Sequence, residues 1–344
     1  MDTRTVNPLL EASDLPFGAP RFDRIREADF RPAIEEAMSR QLAEVEAIVS
    51  APEAPTFENT IVALERCGQD LGRAASVFYN LTGSATNDEL QAIKADLAPK
   101  LAEHRDAISL NEGLFARIKD LYDRRDQLGL DPVDARLLEK YHSRFVRAGA
   151  LLEGAERERM KVLNAEEARL TTRFAENVLK ERAGVAVLVE EEAQLEGLSH
   201  ATLEAAAAAA IAKGHAGKWV LDLRNTTTQP ALAELKDRAL RERIMRASLS
   251  RNSRGNAYDT RATLARLAQL RAVKAKLLDF PTWVHYVMDD QMAKSPDRAM
   301  ELLGRLAPAA AANARKEAAR LQELVDQQEG GFTVEAWDWD FYAE

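Results

Sequence analysis

Apolar residues recur at spacings of three and four along most of this chain. That period, close to the roughly 3.6 residues of one helical turn, commits it to packed helices rather than sheets. One stripe runs through Phe30, Ile34, Ala37, Val45, Ile48 and Val49. A second runs through Ile61, Leu64, Gly68, Leu71, Ala75 and Phe78, and a third through Leu90, Ile93, Leu97, Leu101 and Ile108. Ala, Leu, Glu and Arg are abundant, and each loses little side-chain freedom in a helix. The expected fold class is therefore mainly α and multi-helical.

Local signals place the elements. The first 25 residues, rich in Pro and turn formers, read as an extended arm, and residues 26–344 as the helical body. Asp29 is expected to cap the first helix, with Pro32 in its first turn. Ala51-Pro52-Glu53-Ala54-Pro55 ends that helix, and Thr56 caps the next. Gly68 and Ala75 would let a neighbouring helix approach closely. Asn87 or Asp88 caps a third helix, a short fourth covers 113–125, and Asp131-Pro132 opens a fifth. The buried face of the fifth is read as Val133, Leu137, Leu138, Tyr141 and Phe145. A long helix then carries Met160, Leu163, Leu170, Phe174 and Val178. The pattern changes at Gly184. Residues 185–189 and 218–223 are short and rich in β-branched or aromatic residues, so a small antiparallel β element is expected there. Between them lies a helical insert with the run Ala205 to Ala210. Helices resume at Pro230, break at Phe280-Pro281, restart at Ser295-Pro296 and stop at Gly330-Gly331. No linker is long enough to separate independent domains.

Composition excludes several functions. The net charge of -9 argues against general nucleic-acid binding. No segment reaches the about 18 to 20 apolar residues that span a bilayer, and Met1 to Leu10 lacks a signal-peptide core. The single Cys67 rules out an intrachain disulfide and suits a reducing compartment, so a cytoplasmic protein is expected.

Catalytic chemistry finds little support in the residues. Catalytic zinc needs three converging protein ligands and an open position. The histidines are His104, His142, His200, His215 and His285, and no two are four residues apart. His285 with Asp289, or Glu139 with His142, could form half a site, although such spacing also describes ordinary polar pairs on helix surfaces. Cys67 sits in an apolar stripe without an adjacent His and reads as an inert thiol. There is no Gly-x-Ser-x-Gly elbow or Gly-rich phosphate loop. No catalytic and no metal-binding residue is expected in this chain, and its substrate-binding residues stay unassigned.

Two features stand out from this background. Lys236 to Lys276 holds twelve Lys or Arg against Asp237, Glu242 and Asp259, a balance of +9, which leaves -18 for the remainder of the net -9. Arg238, Arg241, Arg243, Arg246, Arg251 and Arg254 crowd together. They are read as solvated faces with salt bridges to acidic helices, as a contact for further polypeptide, or as a wall that attracts a substrate carboxylate. Nucleic-acid binding fits poorly, because Tyr258 is the lone interleaved aromatic. The second feature is the cluster Trp337, Trp339, Phe341 and Tyr342. It either packs on the chain's own helices or is left partly exposed as a strand-like, adhesive end.

One stretch carries a resemblance. Pro55-Thr56-Phe57-Glu58-Asn59-Thr60-Ile61-Val62-Ala63-Leu64-Glu65 is similar to a signature of bacterial peptidyl-dipeptidases, in the thimet oligopeptidase-like zinc metallopeptidase family that includes oligopeptidase A and neurolysin. Asn7-Pro8-Leu9-Leu10, the stretch Leu15 to Phe22, and Asp29-Phe30-Arg31-Pro32-Ala33 also resemble that family. So do Phe145 to Ala150, Leu270 to Leu278, Met292-Ala293, and Trp337-Asp338-Trp339-Asp340-Phe341-Tyr342. They occur in family order along nearly the whole chain. The resemblance implies a two-lobed enzyme around a channel that admits short peptides and releases dipeptides from their C-termini. It also implies zinc held by a His-Glu-x-x-His helix and a downstream Glu, with the motif Glu as general base. No His-Glu-x-x-His occurs in these 344 residues. The expectation is then an N-terminal lobe that forms a channel wall and is inactive alone. Its partners would be short peptides and the missing catalytic lobe, and neither nucleic acid nor membrane. Zinc would belong to the full-length enzyme, with none in this chain. The alternative is a non-catalytic helical interaction or scaffold protein derived from such an enzyme.

Overall fold

The computed structural model describes residues 6–223, 229–328 and 330–343; residues 1–5 of the arm lie outside them. The chain forms two compact units, Met1–Arg173 with Leu267–Tyr286, and Phe174–Arg266 with Val287–Glu344. Each boundary falls inside a helix rather than in a linker.

In the first unit the arm makes a short turn at Pro16–Gly18 and leads into α1 (Glu27–Val49). Asp29 does not occupy the cap position. Arg26 does, and the Asp29 carboxylate reaches back to the Arg26 N–H at 2.8 Å. The helix thus starts earlier than expected, and Pro32 falls in its second turn. The next helix is also shorter than its stripe suggests. A π-helical stretch, Phe57–Val62, runs into α2 (Ala63–Arg66), and the chain then breaks at Cys67-Gly68 before α3 (Gln69–Ser84). Gly68 has φ +73° and donates its N–H to Glu44 Oε2 at 2.7 Å. A Cβ there would lie 2.2 Å from Gln41 Nε2, so the close approach read from the sequence is real although the continuous helix is not.

Four more helices complete this part: α4 (Asp88–Ser109), α5 (Glu112–Asp123), α6 (Pro132–Ala148) and α7 (Gly154–Gly184). Asn87, Asn111 and Asp131 cap the first three through their side-chain oxygens. On α6, Leu138 and Phe145 are buried, but Val133 is 75% exposed because the first turn projects into solvent. One apolar core gathers Phe30, Ile34, Phe78, Leu90 and Leu97, with the Phe30 and Phe78 rings 5.2 Å apart. A second gathers Val45, Ile48, Ile61, Leu114, Ile118 and Leu138.

In the second unit β1 (Ala186–Val189) precedes α8 (His200–Ala212), and β2 (Trp219–Asp222) follows it. The strands pair antiparallel with Ala186 opposite Asp222 and Val189 opposite Trp219, as the sequence predicts. Within the alanine run Ala206 and Ala210 are buried, one turn apart on the face turned inward. Then come α9 (Ala231–Glu234), α10 (Arg238–Leu249), α11 (Arg261–Leu277) and α12 (Trp283–Asp289), of which residues 267–286 belong to the first unit, followed by α13 (Pro296–Gln327) and α14 (Trp339–Ala343). The core of this unit joins Val187, Val189, Leu221, Leu235, Leu240 and Ile244. The Trp337 to Tyr342 segment is not strand-like. It forms a 3-10 turn, Ala336–Asp338, that leads into α14. The fold is mainly α, with one two-stranded antiparallel sheet among the described residues.

Candidate functional site

The basic run spends most of its charge on partners inside the chain. Arg238 donates to both oxygens of Asp338 at 2.9–3.1 Å, and Arg241 donates to Asp338 Oδ1 at 2.8 Å. Arg241 is 1% exposed. Its remaining N–H groups reach the carbonyls of Leu235, Lys236 and Trp337. Burial pushes the Asp338 carboxyl up, but hydrogen bonds from Arg238, Arg241 and the Glu335 backbone outweigh it and hold the pKa below the usual range. Arg238 lies over the Phe332 ring at 4.2 Å, Arg241 over Phe341 at 4.3 Å and Arg246 over Trp337 at 5.3 Å. The aromatic cluster is therefore packed on α10 by a buried ion cluster. Elsewhere in the run, Arg254 pairs with the buried Glu181 at 2.5 Å, Arg261 with Asp259 and Arg246 with Glu242. Arg243 and Arg251 donate to the carbonyls of Leu188 and Leu223.

The signature stretch is equally structural. Thr56 Oγ1 accepts from the Asn59 N–H at 3.0 Å, and Asn59 Oδ1 accepts from the Thr56 N–H at 2.8 Å. Asn59 Oδ1 also accepts from Nη2 of the buried Arg117, whose Nη1 donates to the carbonyls of Ala51 and Glu53. These bonds fix the turn between α1 and the π-helical stretch.

In the first unit α4, α6, α7, α11 and α12 enclose a cleft of about 550 Å³. That size is within the range of ligand pockets. On its α7 wall Glu167 accepts from Arg271 Nε at 2.8 Å and Lys274 Nζ at 2.7 Å. Burial raises the Glu167 pKa, and these two cations more than reverse the effect. Trp283 lies against both cations, at 5.6 and 5.7 Å. On the α4 wall Asp106 is 5% exposed, and its Oδ1 accepts from Asn164 Nδ2 at 2.8 Å. Burial pushes the Asp106 carboxyl up, and the Asn164 bond with the charges of Arg105, Lys274 and Lys161 only partly offsets it. Arg147 donates to the Tyr286 carbonyl at 2.9 Å and lies 4.5 Å over that ring, fixing the far end.

Sequence reasoning missed this cleft. A signal was present: Met160, Asn164, Glu167 and Thr171 follow helical spacing, so polar residues occupy the inward stripe of α7 where apolar ones are expected.

The histidines are dispersed. His104 Nε2 bonds Gln41 Oε1 at 2.8 Å, and His285 Nδ1 bonds Thr282 Oγ1 at 2.8 Å. His142 stacks on Tyr122, ring centroids 3.8 Å apart, and burial lowers its pKa, while Glu139 pairs with Arg136. His200 lies 3.3 Å from Glu204, an exposed i,i+4 pair absent from the sequence reading. His215 is exposed. Among the described residues no three of His, Cys, Asp and Glu converge to hold a metal. The donor set present does not fit zinc. Cys67 donates its thiol to the Ala63 carbonyl, and burial pushes its pKa up to about 11. Among the described residues no helix is long and apolar enough to cross a membrane.

The comparisons with known proteins add homology to this geometry. The chain is homologous to oligopeptidases and dipeptidyl carboxypeptidases of peptidase family M3, whose model matches residues 231–344. It is 45% identical over 340 residues to a dipeptidyl carboxypeptidase of Escherichia coli (strain K12), a match over 99% of this chain and 50% of that protein. Identity to the dipeptidyl carboxypeptidase of Salmonella typhimurium is 44% over the same shares. Identity to oligopeptidase A of Escherichia coli is 27% over 343 residues, or 98% of this chain and 50% of that protein. The chain spans about half the length of the curated relatives it matches.

Proposed function

We propose that this chain is the non-catalytic, peptide-handling part of a zinc-dependent family M3 peptidase that releases dipeptides from the C-termini of short peptides in the cytoplasm. Residues 26–344 would form the helical lobe, preceded by the 1–25 arm, and would line one side of a peptide channel. The zinc ligands and the hydrolytic step belong to polypeptide beyond these residues. The observation that carries this reading is the 45% identity to a dipeptidyl carboxypeptidase over 99% of this chain and 50% of that protein. A second support is α13. Residues 301–310 are all exposed, and Met300, Leu302, Leu303 and Leu306 are each more than half exposed. An apolar helix face of this kind suits docking of further polypeptide.

One observation favours a second reading, a self-sufficient helical interaction protein. The Trp337 to Tyr342 segment is held on α10 of this same chain through Asp338. Reading the gene beyond codon 344 separates the two. The peptidase reading expects an in-frame His-Glu-x-x-His, and an immediate stop codon would overturn it.

A further inference from the structure

Asp106 and Glu167 line the same cleft, yet their electrostatic situations are opposite. Glu167 is in contact with two cations, Arg271 and Lys274. Asp106 is nearly as inaccessible as a core residue, and the cations that act on it, Arg105, Lys274 and Lys161, do so through space, without an ion pair among the described residues. Its one hydrogen bond comes from the neutral Asn164 to Oδ1, which leaves Oδ2 without a donor among the described residues. Asp106 borders the main cleft on one side and a groove between α4 and α7 on the other. A desolvated carboxylate without a contacting counter-ion is costly, and a ligand cation placed against it relieves that cost. The volume admits more than a bare ion. Thr171, Thr172 and Ser109 supply neutral hydrogen-bonding groups along the walls, Tyr79 and Leu101 supply apolar surface, and Arg105 and Arg147 add positive charge that suits the carboxylate end of a peptide rather than its ammonium.

We propose that this cleft binds the free α-ammonium end of a short peptide, with Asp106 as its anionic acceptor. The peptide identity of the ligand rests on the peptidase reading above, whereas the ammonium site itself rests on Asp106 and the cleft. Binding here involves no hydrolysis, so the two fail separately. A chain that releases no dipeptide can still bind, and an active longer enzyme can still lack this site.

The test is calorimetric titration of the 344-residue chain at pH 7 with trialanine, N-acetyl-trialanine and propylamine. Saturable one-site binding of trialanine is expected, with at least a tenfold loss on N-acetylation and a similar loss in Asp106→Asn. That substitution keeps the shape, and a thermal melt confirms that the variant folds. No saturable binding of trialanine, equal binding of the acetylated peptide, or unchanged affinity in a folded Asp106→Asn chain overturns the proposal. Propylamine binding as tightly as trialanine assigns the cleft to simple amines and overturns the peptide assignment.

Discussion

Asp338 shows how one carboxylate can decide the state of a whole segment. It is fully buried between Arg238 and Arg241, and its removal strands Arg241, itself 1% exposed. Breaking a buried ion cluster from one side costs about 3–5 kcal/mol, so Asp338→Ala is expected to lower stability by that amount in urea unfolding. The pH dependence follows from its depressed pKa. The stabilisation is present above the unfolded carboxylate value near pH ~4 and is lost as pH falls through the lower folded value. Asp106 behaves in the opposite sense. Its raised pKa favours the folded state below the unfolded value, and that advantage is lost as pH rises through the folded value. Asp106→Asn should therefore raise the melting temperature at pH 7 by a few degrees and leave it unchanged near pH 3, where the carboxyl is already neutral. Cys67, with its thiol pushed up to about 11, should alkylate slowly at pH 7 and accelerate only as pH approaches that value; fast alkylation at pH 7 would contradict it.

At the scale of elements, the turn around Thr56 and Asn59 is the most interdependent local structure. Asn59→Ala removes the reciprocal cap and one acceptor of the buried Arg117. A loss of about 1–2 kcal/mol is expected, measured by thermal melting against Thr56→Ala, which removes one cap bond alone. These elements also show what was legible in the sequence. The caps at Thr56, Asn87, Asp131 and Ser295 were readable because each is a short-range bond between a small polar side chain and a backbone N–H two or three residues on. The antiparallel β pair was readable because β-branched runs flank a helix former. The break at Gly68 was not, because the same Leu64–Gly68–Leu71 spacing fits a continuous helix. Only Gln41 and Glu44 on α1, far away in sequence, show why the chain turns there. Of the cleft only the polar stripe on α7 was legible, because Asn164 and Glu167 meet Asp106 and Lys274 across separations of 58 and 107 residues.

Across the molecule, the charge pattern changes meaning once the fold is known. The +9 run from Lys236 to Lys276 resembles a ligand-attracting surface, but Asp338, Glu181 and Glu167, from outside the run, take up part of that excess. Two features stand apart from these pairings, the cleft around Asp106 and the exposed face of α13. Both suit the proposed peptide-handling part. On the proposed reading these residues do not cut peptides by themselves. The most direct measurement incubates the 344-residue chain with zinc and a short peptide and assays metal content and released dipeptide together. Neither stoichiometric zinc nor dipeptide release is predicted; zinc-dependent release of a C-terminal dipeptide by this chain alone would contradict the account.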